Sequence, residues 1–151
     1  MDEKVFEGLK VWQRAHPLML DVHKMLVPIL PPEEKWDLSS QIHLSSKSIG
    51  ANIAEGFGRH DNLDNVRICY NVRGSVDETV NHFQVAFDLK YCTDDIYRDL
   101  RAQAEEVCKL LNGYISWLKT QRIGKKEPGA NLYIREIPAE HLVPEDEHQN
   151  Q

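Results

Sequence analysis

Glu78 and His82 stand four residues apart, a spacing that puts a carboxylate and an imidazole on one helix face, where they could share a metal ion or a proton. A di-metal site in a helical bundle needs more: Glu on two helices and Glu-x-x-His on the other two. No Glu-x-x-His occurs in the helical part of this sequence, and no second acid–histidine pair completes a site. The HExxH, P-loop and GxGxxG patterns are absent, and Gly56-Phe57-Gly58 reads as a helix stop, not a phosphate cradle. Arg59-His60 begins like the arginine, polar and histidine set of a helical ribonuclease, but no histidine follows until His82. Ser45, Ser46 and Ser48 have only His43 nearby, two positions before Ser45 and facing another way, so they read as close-packing residues and not nucleophiles. The expectation is a chain with no catalytic residue, metal site or cofactor.

One polar constellation remains. Asn52 and Glu55 are three apart and share a helix face, close behind the small residues Ser45, Ser46, Ser48, Gly50 and Ala51. Arg73 falls on the apolar stripe of the following helix. A buried ion is costly unless paired, so Glu55 is expected to meet Arg73, or else Arg59 at i+4, in an ion pair that fixes helix register. Gly74 and Ser75 beside Arg73 would let another helix approach closely, at about 1 kcal/mol of helix propensity for the glycine.

These residues must be carried by helices. Trp12, Ala15, Met19, Val22, Leu26 and Ile29 recur at steps of three and four and predict a first helix over Leu9–Ile29, with Pro17 either kinking it or delaying its start to His16. A second opens at Pro32-Glu33-Glu34, carries Leu38, Ile42, Ser45, Ile49, Asn52 and Ile53, and stops at Gly56 and Gly58. A third follows Asp61-Asn62 with the stripe Val66, Cys69, Arg73, Val76, Val80, Phe83 and Phe87. The fourth is capped by Thr93 or Asp94 and runs to about Gln121 on Leu100, Ala104, Val107, Leu111, Tyr114 and Leu118. Four amphipathic helices with short connections predict an all-α, antiparallel up-down-up-down four-helix bundle over residues 1–121. Residues 122–151 are expected to be a flexible linker and a non-helical acidic tail. In that tail Leu132, Tyr133 and Ile134 form an apolar patch, which either stays in solvent or docks on the bundle or a neighbouring copy.

The chain has 151 residues, enough for one domain with a real core, and its formal net charge of −6 provides no global field for nucleic acid or an anionic membrane. Lys47, Arg59 and Arg67 are the cations from which a local nucleic-acid contact could be built. Three cysteines without a CxxC spacing predict reduced thiols. The start Met1-Asp2-Glu3-Lys4 does not read as a signal peptide, and no run approaches the ~18 apolar residues of a membrane span. A cytoplasmic protein is expected.

The run Asn52-Ile53-Ala54-Glu55-Gly56-Phe57-Gly58-Arg59, with Leu9-Lys10-Val11-Trp12, Ala15, Gln41, Ser48-Ile49, Gly74-Ser75, Glu78, Ala86, Leu89 and Tyr91, resembles the bacterial family named for the 23S rRNA intervening-sequence protein. The resemblance covers about residues 5–120 and leaves the tail outside. It implies an up-down bundle assembled as a ring-shaped homopentamer with no known catalytic site. A similar fold serves diversity-generating retroelements as an accessory protein that binds a reverse transcriptase and nucleic acid through a basic surface. His43 and Leu44 stand here where members often carry two basic residues. The implied function is a non-enzymatic oligomeric scaffold or adaptor that binds RNA or a nucleic-acid-handling partner. The alternative is a protein-only interaction module, whose partner is held by the tail or a bundle face. Neither involves a membrane or a small-molecule substrate.

Overall fold

A computed structural model describes residues 5–59, 61–123 and 139–143 of the chain. Four helices carry it: α1 (Lys10–Asp21), α2 (Leu38–Phe57), α3 (Asn62–Asp88) and α4 (Asp94–Ile123). Each packs on the next and α4 closes back on α1, giving the antiparallel four-helix bundle that the periodicity predicts.

Helix α1 runs through Pro17 on an exposed side, so it does not wait for His16 to begin. It continues as a π-turn over Val22–Leu26 and a 3-10 turn over Val27–Ile29. Its buried line is Val11, Ala15, Leu18, Val22 and Leu26; Trp12 and Met19 flank it, and Ile29 is exposed. The expected opening of α2 at Pro32 is corrected. Pro32–Glu34 forms a separate 3-10 turn, and α2 starts at Leu38. Glu34 ties this corner together: Oε2 accepts from the Leu38 backbone N–H at 3.2 Å, and Oε1 accepts from the Tyr91 hydroxyl at 3.0 Å.

The interface of α2 and α3 is made of hydroxyls and small side chains. Ser48 and Ser75 are bonded hydroxyl to hydroxyl at 2.8 Å, and Ser45 and Thr79 at 2.9 Å. Ser46 donates to the Ile42 carbonyl at 2.7 Å and is fully buried. Burying a hydroxyl is tolerated because each one is bonded, so two helix backbones can approach without the bulk of leucine between them. At the end of α2, Gly56 faces Asn65 so closely that an added Cβ would lie 2.5 Å from its Oδ1. Asn65 is buried and its Nδ2 donates to the Tyr114 hydroxyl at 3.2 Å.

Helix α3 begins where expected, with Asp61 Oδ1 accepting from the Leu63 backbone N–H at 2.7 Å. It ends in a Schellman pattern, Tyr91 N–H to the Ala86 carbonyl and Lys90 N–H to the Phe87 carbonyl, both at 2.9 Å, with Lys90 at φ 62° in the left-handed region. The α4 stripe Leu100, Ala104, Val107, Leu111, Tyr114 and Leu118 is buried as predicted. The three cysteines are free, and burial pushes the Cys69 thiol up to about 12.

The tail returns to the bundle at residues 139–143. Leu142 pairs with Leu9 in an isolated antiparallel bridge, and the Val143 N–H donates to the Gly8 carbonyl at 3.1 Å. The His141 ring lies 5.9 Å from both the Tyr114 and Trp117 ring centroids. The apolar patch expected to dock, Leu132, Tyr133 and Ile134, lies outside the described residues.

Gly56→Ala should destabilise the protein by about 1–3 kcal/mol in urea unfolding, the overpacking outweighing alanine's better helix propensity; a more stable variant would contradict the close approach. Burial holds the docked His141 imidazole below its ordinary value of 6.5, with Lys10 adding to that and Glu140 opposing it. A group whose pKa is lowered by docking stabilises the neutral, docked form, so docking is strongest above pH 6.5 and is lost as pH falls through the lowered value. Hydrogen-exchange protection of the Val143 amide should fall several-fold between about pH 7.5 and pH 5, and His141→Phe should abolish that dependence. Equal protection at both pH values would show that His141 does not hold the tail.

Candidate interaction surface

Glu55 Oε1 accepts from Arg59 Nη2 at 2.8 Å, with both side chains about half exposed (53% and 51%). The expected pairing of Glu55 with Arg73 does not form. Arg73 turns the other way and donates through Nη2 to Asn112 Oδ1 on α4 at 2.5 Å. The reason is the drift of the helical repeat: Val72, fully buried, takes the core position that the three-four rhythm assigned to Arg73. An exposed i,i+4 pair such as Glu55–Arg59 contributes about 0.3–0.5 kcal/mol, so it is not the internal register lock expected of it. Asn52 is half-buried.

The candidate nucleic-acid cations divide. Arg59 is taken by Glu55, Arg67 lies 3.5 Å from Asp64, and Lys47 is exposed on α2 with no carboxylate within ion-pair distance among the described residues. These three therefore make no concentrated basic surface. On α3, Glu78 and His82 do meet at 3.5 Å, with His82 buried and Glu78 exposed. Among the described residues no group of three or more His, Cys, Asp or Glu could hold a metal ion.

Apolar surface is exposed instead at the α1–α2 corner. Trp36 is 84% exposed, Leu44 69% and Ile29 44%. Trp36 and Leu44 rim a cleft of about 500 Å³ with Val27, Leu30, Pro31 and His43. Exposed aromatic and aliphatic groups around a cleft are the usual anchors of a protein interface. His43 on this rim is bonded to the π-turn of α1: His23 Nδ1 donates to the Met19 carbonyl at 2.8 Å, which leaves His23 Nε2 to accept from His43 Nδ1 at 2.5 Å. Burial, His23 and Lys47 hold the His43 imidazole below its ordinary value.

A second groove of about 210 Å³ runs along α1 and α2. Trp12 stacks on His16 at 4.7 Å, Phe6 meets Trp12 edge-on at 5.3 Å, and Gly50 faces the Trp12 indole nitrogen. Trp36 and Leu44 did not emerge from the periodicity reading as interaction residues. Both carried a signal: Trp36 is a large apolar residue among Glu33, Glu34, Lys35 and Asp37, and Leu44 lies off the Ile42, Ser45, Ile49 stripe.

No curated protein matches this sequence. Among solved structures, the fold is similar to the crystal structure of a protein with unknown function from the S23 ribosomal protein family of Bacteroides thetaiotaomicron VPI-5482. The two share 25% identity over 70% of this chain and 97% of that one, with a TM-score of 0.64. Residues 7–113 match the family described as 23S rRNA-intervening sequence protein, a span that takes in α1, α2, α3 and most of α4. The chain belongs to the 23S rRNA-intervening sequence protein family.

Proposed function

We propose that this chain is a non-enzymatic oligomeric scaffold that holds RNA or a nucleic-acid-handling protein. The observation that carries the reading is Gly74. It sits in the interior of the 27-residue α3, exposed, and a methyl group added there would meet nothing within 4 Å among the described residues. The bundle's own packing therefore gives no reason to accept a glycine that costs about 1 kcal/mol against alanine. A helix of another copy passing over Gly74 does. The ring-shaped pentamer implied by the family resemblance is the expected assembly, and the cytoplasm the expected compartment. No helix among the described residues is long and apolar enough to cross a membrane.

The protein-only reading draws on a different observation, the exposed Trp36 and Leu44 at the apolar cleft. In that version the partner is a protein docked on the bundle face, and no nucleic acid is touched. In both versions residues 1–121 form the scaffold, and residues 139–143 add a strap across α1 and α4.

Gly74→Glu tests the scaffold directly, because a Cβ added at Gly74 meets nothing within 4 Å among the described residues of its own chain, while the charged carboxylate would oppose a second copy's helix. In sedimentation velocity the parent should run as one oligomer at micromolar concentration. The variant should dissociate at least 10-fold more readily while keeping its helical circular dichroism. A parent that stays monomeric at about 100 μM, or a variant that assembles like the parent, would overturn the reading.

A further inference from the structure

Residues 139–143 sit on the α1–α4 face as a short peptide ligand would. The 3-10 turn Ala139–His141 leads into the bridge of Leu142 with Leu9, and the Val143 N–H donates to the Gly8 carbonyl. Each of the two anchoring side chains lies over a glycine. A Cβ at Gly8 would stand 3.9 Å from Leu142 Cδ2, and one at Gly113 3.6 Å from His141 Cε1. The His141 ring fills a socket walled by Tyr114 and Trp117, with Val11 and Leu110 beside it. The fit is imperfect in one respect. The His141 side chain is only 11% exposed, and its Nε2 is buried with no hydrogen-bond partner among the described residues. Glu140 Oε1 stands 3.6 Å from it, beyond hydrogen-bond reach, and the Tyr114 hydroxyl is engaged by Asn65. A buried polar nitrogen without a partner weakens the contact that buries it.

We infer that this socket is a docking site for a peptide segment of a partner protein, and that residues 139–143 are its built-in competitor. The ligand is a short segment with a backbone N–H for the Gly8 carbonyl, an aliphatic side chain over Gly8, and an aromatic ring between Tyr114 and Trp117. Backbone pairing supplies affinity and the ring socket supplies selectivity, the division found where peptides add to an exposed chain edge. An aromatic ring suits the socket better than His141 does, because it packs on the same two rings and buries no unpaired nitrogen. The strap belongs to the same chain, so it holds the socket in the free protein and gives way to a better occupant. Tyr114, Trp117 and the strap lie beyond residues 7–113, outside the span matched by the family. The site stands at the start of α1, at the other end of that helix from the Trp36–Leu44 cleft, and it does not rest on the scaffold reading.

The test is fluorescence anisotropy with the full chain and a labelled synthetic peptide of the sequence 138–144. Leu142→Asp unseats the strap, so this variant should bind the peptide about 10-fold more tightly than the parent, where the strap competes. A second peptide, with phenylalanine in place of His141, should bind Leu142→Asp about 5-fold more tightly than the first. Gly113→Leu, added to Leu142→Asp, puts a side chain where the ring sits and should abolish binding of both peptides, while its circular dichroism stays helical. Leu142→Asp alone should melt within about 3 °C of the parent, because the strap covers the bundle and does not complete it. Equal affinity of parent and Leu142→Asp, no binding to either, no preference for phenylalanine, or binding retained with Gly113→Leu would each overturn the proposal. A collapsed melt in Leu142→Asp would also overturn it, by making the strap part of the fold. If the parent is an oligomer in sedimentation and Leu142→Asp dissociates it, the socket's occupant is a second copy's strap and the partner peptide is refuted.

Discussion

The structure depends on the hydroxyl contact between α2 and α3. Gly56 opposite Asn65 and Ile68, Ser48 opposite Ser75 and Ser45 opposite Thr79 define one antiparallel register running along the interface. Hydroxyls can be buried there because each finds a partner on the facing helix or on its own preceding turn. Their small volume brings the helices close, and their directionality selects one register where an all-leucine seam would accept several. The remainder of the core, from Leu9 just ahead of α1 to Leu118 on α4, then packs as ordinary aliphatic filling around a fixed pair.

That division explains why the motif with the most polar character does the least chemistry. Serines that looked like close-packing residues are used in that way, with Ser45 and Ser46 buried and Ser48 bonded across to α3. Glu55 and Arg59 close the run as an exposed pair just ahead of the turn into α3. Outward-facing features that the bundle does not need are found elsewhere: the open Gly74, the Trp36–Leu44 cleft and the cations on Tyr70. The bundle's hydroxyls are used inside it, and these surface residues are left unconstrained by its own packing.

Much of the fold was legible because a stripe of period 3.6 reports burial directly. The α4 stripe held at every position named, and the Asp61 cap and the Gly56–Gly58 stop placed the α2–α3 turn. Where two adjacent stripes are both apolar, as on α1 with Val11 and Leu18 beside Trp12 and Met19, periodicity gives the helix but not which line is buried. Arg73 shows the same ambiguity at single-residue scale, since Val72 and Arg73 both fit the rhythm within the drift of the repeat. Its partner Asn112 is 39 residues away on α4, and no local pattern names a partner at that distance. The strap at His141 and Leu142 was illegible for a related reason: it is fixed by one bridge to Leu9 and a socket made by Tyr114 and Trp117, both remote in sequence.

Close approach at the serine ladder determines the bundle. Urea unfolding of Ser45→Leu tests it most directly, because the substitution improves helix propensity and apolarity while adding volume at a site only 3% exposed. A loss of about 1–3 kcal/mol is expected, with the variant's helices retained. A Ser45→Leu protein as stable as the parent, or more stable, would show that α2 and α3 have room between them and that the hydroxyls do not set their spacing.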